Sequence, residues 1–158
     1  MAAIFCADCG TECALVDGRD VDAHDPEIAD AWVWACPECP ASWAHHAVAA
    51  NGPAAIPAGP ETRNAREMLG ELLILPLIYE GSGGIEGAMP LTIDRLTNFL
   101  AHRMGIEPDA CEVARFDLEQ CRQAWRELRG VRFGEVLEHA KHHRGVKRRA
   151  PVGEGAAA

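Results

Sequence analysis

Four of the seven cysteines form two Cys-x-x-Cys pairs that could together bind a metal ion. The first pair is Cys6 and Cys9, and the second is Cys36 and Cys39. Each pair closes a tight loop in which both sulfurs can point at one centre, so two loops can surround a metal tetrahedrally. Four thiolates suit zinc and leave no coordination position for water. The spacing therefore predicts one Zn²⁺ in a closed, structural site.

Two other interpretations of the paired cysteines stay open. A redox Cys-x-x-Cys of the thioredoxin type needs only one pair, in a βαβ setting that this sequence does not indicate. Iron–sulfur clusters use the same four thiolates as zinc. Zinc is favoured because a short module with few large apolar residues needs the metal for stability, and binding contributes on the order of 10 kcal/mol to folding.

Five further residues leave the ligand set open. Cys13 has a poorer spacing for the first loop and is expected to pack in a hairpin. His45 and His46 could replace a sulfur or bind a second metal, but the complete four-cysteine set favours packing or surface roles. Cys111 and Cys121 could form a redox or metal pair. Cys121 lies on the apolar stripe of a predicted helix, which favours a small buried hydrophobe.

Short strands must hold the two cysteine loops in residues 1–50. Residues 13–16 have strand composition, and Asp17-Gly18 is a two-residue turn signal that predicts a hairpin with residues 19–23 as the returning strand. Two further strands are predicted, one leading into the second loop and one leaving it, over residues 31–35 and 42–46. Together they predict a β zinc ribbon.

A change to helical periodicity follows residues 51–60, whose prolines and glycines indicate a linker. Residues 61–145 are expected to form a small helical region, and residues 146–158 a disordered tail. Four helices are expected. The first runs from Glu61 to an end or kink at Pro76, and the second runs from an N-cap at Thr92 to Gly105. The third begins at a capping box of Asp117 and Gln120, and the fourth covers residues 132–143. The fold class predicted is α+β.

The charge is distributed unevenly along the 158 residues, which carry a net charge of −9. Residues 1–50 contain nine acidic residues and one basic residue, Arg19. The C-terminal run over residues 141–149 contains five basic residues and no acid: Lys141, Arg144, Lys147, Arg148 and Arg149. An acidic head and a basic tail predict different partners for the two ends.

The motifs around the cysteines also resemble a known family. They are Cys6-Ala-Asp-Cys9-Gly10, Ala14-Leu15-Val16-x-Gly18, Trp34-Ala-Cys36-Pro-Glu-Cys39 and Ala41-Ser-Trp-Ala-His45-His46, with Leu100 to Ile106, Cys111 and Phe116-Asp117-x-x-x-Cys121 further on. This set is similar to a phage and prophage family of zinc-finger-containing domain proteins. The resemblance implies a zinc ribbon joined to helices and brings no established activity.

Two functions are compatible with these features. The first is a nucleic-acid- or transcription-associated accessory protein, because the basic residues of the C-terminal run can neutralise phosphates, weakly and without reading sequence. The second is an adaptor that engages a host or phage protein complex through the acidic ribbon, with Trp32 or Trp43 at the interface.

An enzyme is not expected. The sequence has no Gly-rich phosphate loop, nucleophile elbow or HExxH motif. Asp22, His24 and Asp25 could form a hydrolytic site, although an acidic loop explains them more simply. The histidines of residues 139–143 are expected to complement a helix dipole. No apolar run reaches the ~20 residues of a membrane span, and no secretory signal is visible, so we expect a cytoplasmic protein.

Overall fold

The computed structural model describes residues 3–143, which form an antiparallel sheet followed by helices. The sheet has the strand order β1-β2-β3-β4, with β1 at Ala14–Asp17, β2 at Trp32–Ala35, β3 at Trp43–Ala47 and β4 at Gly52–Pro53. The α-helices of this part of the chain are α1 Gly18–Asp22, α2 Pro60–Leu69, α3 Leu75–Ser82, α4 Met89–Met104, α5 Leu118–Leu128 and α6 Phe133–His142. The predicted α+β class is confirmed.

The segment after β1 is a helix, so the prediction of a returning strand over residues 19–23 is wrong. The Asp17 side chain accepts a hydrogen bond from the backbone N–H of Arg19 at 3.0 Å and caps α1. Gly18 approaches Ile28 so closely that a Cβ there would lie 1.7 Å from the Ile28 carbonyl oxygen. The Asp-Gly pair therefore begins a helix, and its glycine packs closely against the Ile28 backbone. β1 pairs with β2 rather than with residues 19–23.

A π-helical turn at Gly70–Ile74 joins α2 to α3, so the chain stays helical past Pro76. The N–H of Leu75 bonds the carbonyl of Gly70, one residue further back than in an α-helix. Pro76 then falls directly after this turn, where the i to i−4 hydrogen-bond ladder is already interrupted. The helix continues to Ser82, beyond the end or kink that the sequence predicted at Pro76.

The two ends of α4 differ in how well the sequence predicted them. The helix begins at Met89 rather than at Thr92, and Pro90 occupies its first turn. Thr92 is buried inside the helix, where its hydroxyl donates to the carbonyl of Ala88 at 2.9 Å, so it is not the N-cap. Gly105 ends the helix with φ 68°, which confirms the predicted C-cap.

The last two helices follow the sequence closely. Asp117 accepts from the N–H of Gln120 at 2.7 Å, and the Gln120 side chain accepts from the N–H of Asp117 at 2.9 Å. This reciprocal pair is the predicted capping box. The helix expected over residues 132–143 is α6.

The main hydrophobic core lies among the helices, not in the sheet. Its buried residues include Leu69, Leu77, Leu96, Phe99, Leu100, Phe116, Leu128, Phe133 and Val136. Among the described residues, the sheet region holds two small clusters, one around Cys6, Cys13 and Cys36 and one around Ile28, Val33 and Trp43. The N-terminal region therefore needs another source of stability besides apolar burial.

An apolar stripe lies on the solvent side of the continuous helix formed by α2 and α3. Its side chains are 42% to 58% exposed and recur at three- and four-residue spacing, at Met68, Leu72, Leu75 and Tyr79. Within residues 3–143, no single helix is long and apolar enough to span a membrane. The helices Pro60–Ser82 and Glu86–Met104 meet that criterion only as a pair, across a bend of 107°.

Residues 51–60, which the sequence predicted to be a linker, form hydrogen bonds to the sheet and to the helical region. β4 lies within this segment, and the next residue, Ala54, donates its N–H to the carbonyl of His45 in β3 at 2.8 Å. Ile56 donates its N–H to the carbonyl of Ala114, before α5, at 2.9 Å. The segment thus joins the sheet to the helices through its backbone.

The carboxylate of Asp8 connects the first cysteine loop to the start of α2. It accepts hydrogen bonds from the Ser42 hydroxyl at 2.8 Å, the Gly59 N–H at 2.5 Å and the Thr62 hydroxyl at 2.9 Å. Partial burial acts to raise the pKa of Asp8, but these hydrogen bonds outweigh it and hold the pKa below its ordinary value. One side chain thus supplies the helix cap that Gly59 lacks.

Two arginines of α2 extend this junction. The guanidinium of Arg63 lies 4.0 Å from the ring centroid of the buried Trp43. Arg66 is buried and donates to the carbonyl of Phe116 at 2.8 Å and that of Ile56 at 2.7 Å. Charged side chains with partners far apart in sequence therefore hold the sheet, the connecting segment and the helices together.

We predict that Asp8→Ala lowers the free energy of unfolding by about 2 kcal/mol, because three donors lose a charged acceptor. Since the folded pKa is depressed, the contribution is present above the unfolded pKa of about 3.9 and disappears as the pH falls through the folded value. Denaturant unfolding of both proteins should therefore show a gap at pH 7 that closes below about pH 4. Asp20→Ala, at an exposed carboxylate on α1, should show no such gap; equal losses would contradict the role of Asp8.

Candidate metal centre

The sulfurs of Cys6, Cys9, Cys36 and Cys39 all lie within 4.8 Å of one another. The Cys9 and Cys36 sulfurs are 3.5 Å apart. A tetrahedral zinc with Zn–S bonds of about 2.3 Å requires sulfurs separated by about 3.8 Å. The set of thiols and its dimensions therefore fit a four-coordinate zinc ion.

Backbone hydrogen bonds shape the first cysteine loop. The N–H of Gly10 donates to the carbonyl of Cys6 at 2.9 Å, and the N–H of Cys6 donates to the carbonyl of Thr11 at 2.9 Å. Gly10 has φ 74°, in the left-handed region that favours glycine. The turn after Cys9 therefore brings the two sulfurs of this pair to the same side.

The second loop connects β2 to β3. The N–H of Cys36 donates to the carbonyl of Ser42 at 3.0 Å, and the N–H of Ser42 donates to the carbonyl of Cys39 at 2.8 Å. The neighbouring pair of Ala35 and Trp43 continues the ladder between the strands. Because Ser42 also donates to Asp8, the second loop is tied directly to the first.

The pKa values of the thiols in the cluster are shifted in opposite directions. Hydrogen bonds from the Thr11 side chain and backbone lower the pKa of Cys9 to about 6. Hydrogen bonding to Cys9 and burial raise the pKa of Cys39 to about 12, and burial raises that of Cys36. One thiolate thus forms readily while its neighbours resist ionisation. A divalent cation would offset the repulsion among four thiolates.

The other cysteines lie outside this cluster. Cys13 packs beside it, but its sulfur faces the carbonyl of Thr11 at 3.8 Å, and burial raises its pKa to about 12. Cys111 and Cys121 are buried in the core formed by the helices. Burial also raises the pKa of Cys121, which favours the neutral thiol.

The two histidines after the second loop make other contacts. His45 packs edge-to-face on Trp43, with ring centroids 5.2 Å apart. The Nδ1 atom of His46 accepts a hydrogen bond from the indole N–H of Trp34 at 3.2 Å. Neither histidine belongs to the group of converging sulfurs.

The structure describes only some of the residues considered for a hydrolytic site or for nucleic-acid binding. Asp22 accepts from the N–H of His24 at 2.9 Å, and Asp25 accepts from the N–H of Glu27 at 2.9 Å, so both carboxylates stabilise turns. Lys141 is exposed at the end of α6 and pairs with Glu138 at 2.6 Å. The remaining basic residues of the C-terminal run lie outside the described residues: Arg144, Lys147, Arg148 and Arg149.

One further group was missed by sequence reasoning. The rings of His102, His139 and His143 meet between α4 and α6, with one nitrogen from each within 4.8 Å of the others. The i, i+4 spacing of His139 and His143 is a signal that the sequence contained. His102 could not be added to it, because only the packing of α4 on α6 brings it near.

Residues 2–131 match the family model of a zinc-finger-containing domain. The chain belongs to this family. No curated protein and no solved structure gives a significant match to it. Membership of a zinc-finger family and the cluster of four cysteines together support zinc binding.

We predict that Cys36→Ser yields a protein with one bound zinc fewer than the wild type. Its stability should fall by several kcal/mol, since metal binding contributes on the order of 10 kcal/mol to the folding of such sites. Metal content by mass spectrometry and thermal unfolding measure the two effects. The matched control is Cys13→Ser, at a buried cysteine beside the cluster, which should keep the metal; an equal loss in the control would refute the assignment.

Proposed function

We propose that the four cysteines of the two pairs hold one structural Zn²⁺ and that the protein is a non-enzymatic adaptor for a basic segment of a partner protein. The zinc would keep the ribbon rigid, so that little ordering is required on binding. A phage or prophage setting and a cytoplasmic location, expected from the sequence, remain part of this proposal.

The observation that carries the proposal is the exposure of Trp32. This side chain is 58% exposed, whereas Trp34 and Trp43 in the same sheet are 8% and 5% exposed. Arg63 packs on Trp43, and Trp34 donates its indole N–H to His46 of β3, but Trp32 stands at the start of β2, opposite Asp17 of β1. A large exposed aromatic ring on a rigid sheet is typical of interface centres.

Carboxylates accompany Trp32 in sequence and in the fold. We use the name acidic face for Trp32 together with the acidic residues of the neighbouring segment, Asp17, Asp20, Asp22, Asp25, Glu27 and Asp30. The hydrogen bond from Gly18 to the carbonyl of Ala31, at 2.8 Å, holds this segment against the start of β2. The one base of the segment, Arg19, is already paired with Asp17 at 2.8 Å.

These charges favour a basic protein segment as the partner. Lysine or arginine side chains can stack on an exposed indole while carboxylates attract them, which gives both affinity and rapid association. A zinc ion with four thiolates would add a further net charge of about −2 to the ribbon. Such a surface repels the phosphates of nucleic acid.

We predict that the protein binds an arginine-rich peptide and that Trp32→Ala weakens this binding about tenfold, equivalent to about 1.4 kcal/mol. Fluorescence anisotropy of a labelled peptide measures the dissociation constant, which should rise with salt concentration. Tyr79→Ala is the matched control, because Tyr79 is also 58% exposed but lies on α3. Unchanged binding by Trp32→Ala would reject the acidic face as the binding surface.

A second candidate function, association with nucleic acid, rests on the C-terminal run of five basic residues. The first of them, Lys141, extends into solvent from α6. Removing α6 would not test this idea cleanly, since Phe133 and Val136 of that helix are buried in the core. Substitutions beyond the helix are the better choice.

We predict that a variant with Lys147, Arg148 and Arg149 all changed to Ala retards duplex DNA less than the wild type does. The slope of log affinity against log salt should fall by about 0.9 for each phosphate that the variant no longer neutralises. A control with the same change of charge replaces the exposed arginines of α5 and its end, Arg122, Arg126 and Arg129. Equal retardation by all three proteins would exclude the run as a nucleic-acid contact.

A further inference from the structure

We propose that His102, His139 and His143 form a second metal site, which binds Zn²⁺ through three imidazoles. One ring nitrogen of each histidine lies within 4.8 Å of the others. The ring centroids are 4.9 Å apart for His102 and His139, 4.8 Å for His102 and His143, and 4.1 Å for His139 and His143. Three imidazoles are a ligand set that zinc accepts, and binding requires the rings of His139 and His143, which are stacked with an interplanar angle of 16°, to rotate so that their lone pairs meet at one centre.

Unsatisfied nitrogens point to a missing ligand. Both ring nitrogens of His139 are buried and have no hydrogen-bond partner among the described residues. The side-chain oxygen of Asn98, which lines the same cavity, is also buried and unpartnered within this part of the chain. Buried polar atoms without partners are rare and costly, and a bound metal ion with its water would satisfy atoms of this kind.

A backbone contact orients His143 for coordination. Its Nδ1 atom lies 3.0 Å from the carbonyl oxygen of His139, so Nδ1–H donates to that oxygen. The lone pair is then carried by Nε2. Metal-binding histidines commonly fix their tautomer through such a hydrogen bond to a carbonyl. The i, i+4 spacing of the two residues places both rings on one face of the helix end.

The helix ends supply an electrostatic reason for a cation at this point. His102 lies in the last turn of α4, and His139 lies in the last turn of α6. The C-terminus of a helix carries a partial negative charge that stabilises cations within that turn. Two such ends meet here, which makes the location more favourable to a cation than either end alone.

The site differs from the four-cysteine centre in having an open coordination position. The three histidines line a cavity of about 550 Å³ that Asn98 and Glu107 also line. A zinc ion with three protein ligands usually completes its shell with water or an external ligand. His139 and His143 lie beyond residues 2–131, so the family match does not account for this site.

The test uses the full chain with zinc already in the four-cysteine centre. After dialysis against a weak chelator, isothermal titration with Zn²⁺ should show one further equivalent in the wild type. His102→Gln and His139→Gln should each weaken that event by about 100-fold or more, because even loss of an outer hydrogen-bond partner costs about 10- to 100-fold. His142→Gln, on the same helix end but outside the cluster, should bind like the wild type.

A spectroscopic readout identifies the ligands. Co²⁺ added in place of the further Zn²⁺ should give ligand-field bands without a new thiolate-to-metal charge-transfer band, since no sulfur takes part. Circular dichroism checks that the variants remain folded, and His102→Gln changes an exposed side chain. Absence of the further equivalent in the wild type, an equal loss in His142→Gln, or a new thiolate band would overturn the proposal.

Discussion

The convergence of four cysteine sulfurs is the constraint on which the N-terminal half depends. The strands there are only two to five residues long, and the apolar clusters beside them are small. Four thiolates so close together would repel one another; hydrogen bonds from Thr11 lower the pKa of Cys9, while hydrogen bonding to Cys9 and burial raise that of Cys39. A divalent cation would convert this repulsion into attraction and close both loops at once. The short sheet can then serve as a rigid platform.

The same loops also determine how the sheet meets the helices. Asp8 lies between two of the converging cysteines, yet its carboxylate caps α2 and binds Ser42 of the second loop. A disturbance of the first loop would therefore reach the start of α2 directly. Arg66 continues this coupling, because its buried guanidinium binds backbone on both sides of the junction. Metal binding and docking of the helices are thus physically linked.

The surface divides into regions of different character. The acidic face combines one exposed tryptophan with the carboxylates of the neighbouring segment, while the histidine cluster lies between α4 and α6 at the ends of two helices. A closed four-cysteine centre has no position for an external ligand, so its role is mechanical. A zinc ion bound by the three histidines, as proposed, would keep one position open for an external ligand. The two groups thus have separate roles in the molecule.

Sequence alone was sufficient for several features whose deciding interaction is local. The two Cys-x-x-Cys pairs, the capping box of Asp117 and Gln120, and the glycine end of α4 involve residues within a few positions of each other. Their geometry therefore follows from spacing and residue type. The strands on either side of the second loop were predictable for the same reason, since each is a short run of strand-forming residues next to a tight turn.

Tertiary packing decided the rest. The Asp17-Gly18 pair is compatible with a hairpin or a helix start, and the close contact with Ile28 selects the helix. Each tryptophan of the sheet has the same intrinsic preference for burial. Contacts from α2 and from a neighbouring strand cover Trp43 and Trp34, whereas Trp32 stays exposed. The three histidines come from helices far apart in the chain, so no spacing rule could group them. Long-range contacts have no signature in a single sequence, because the partner of each residue is chosen by the whole fold.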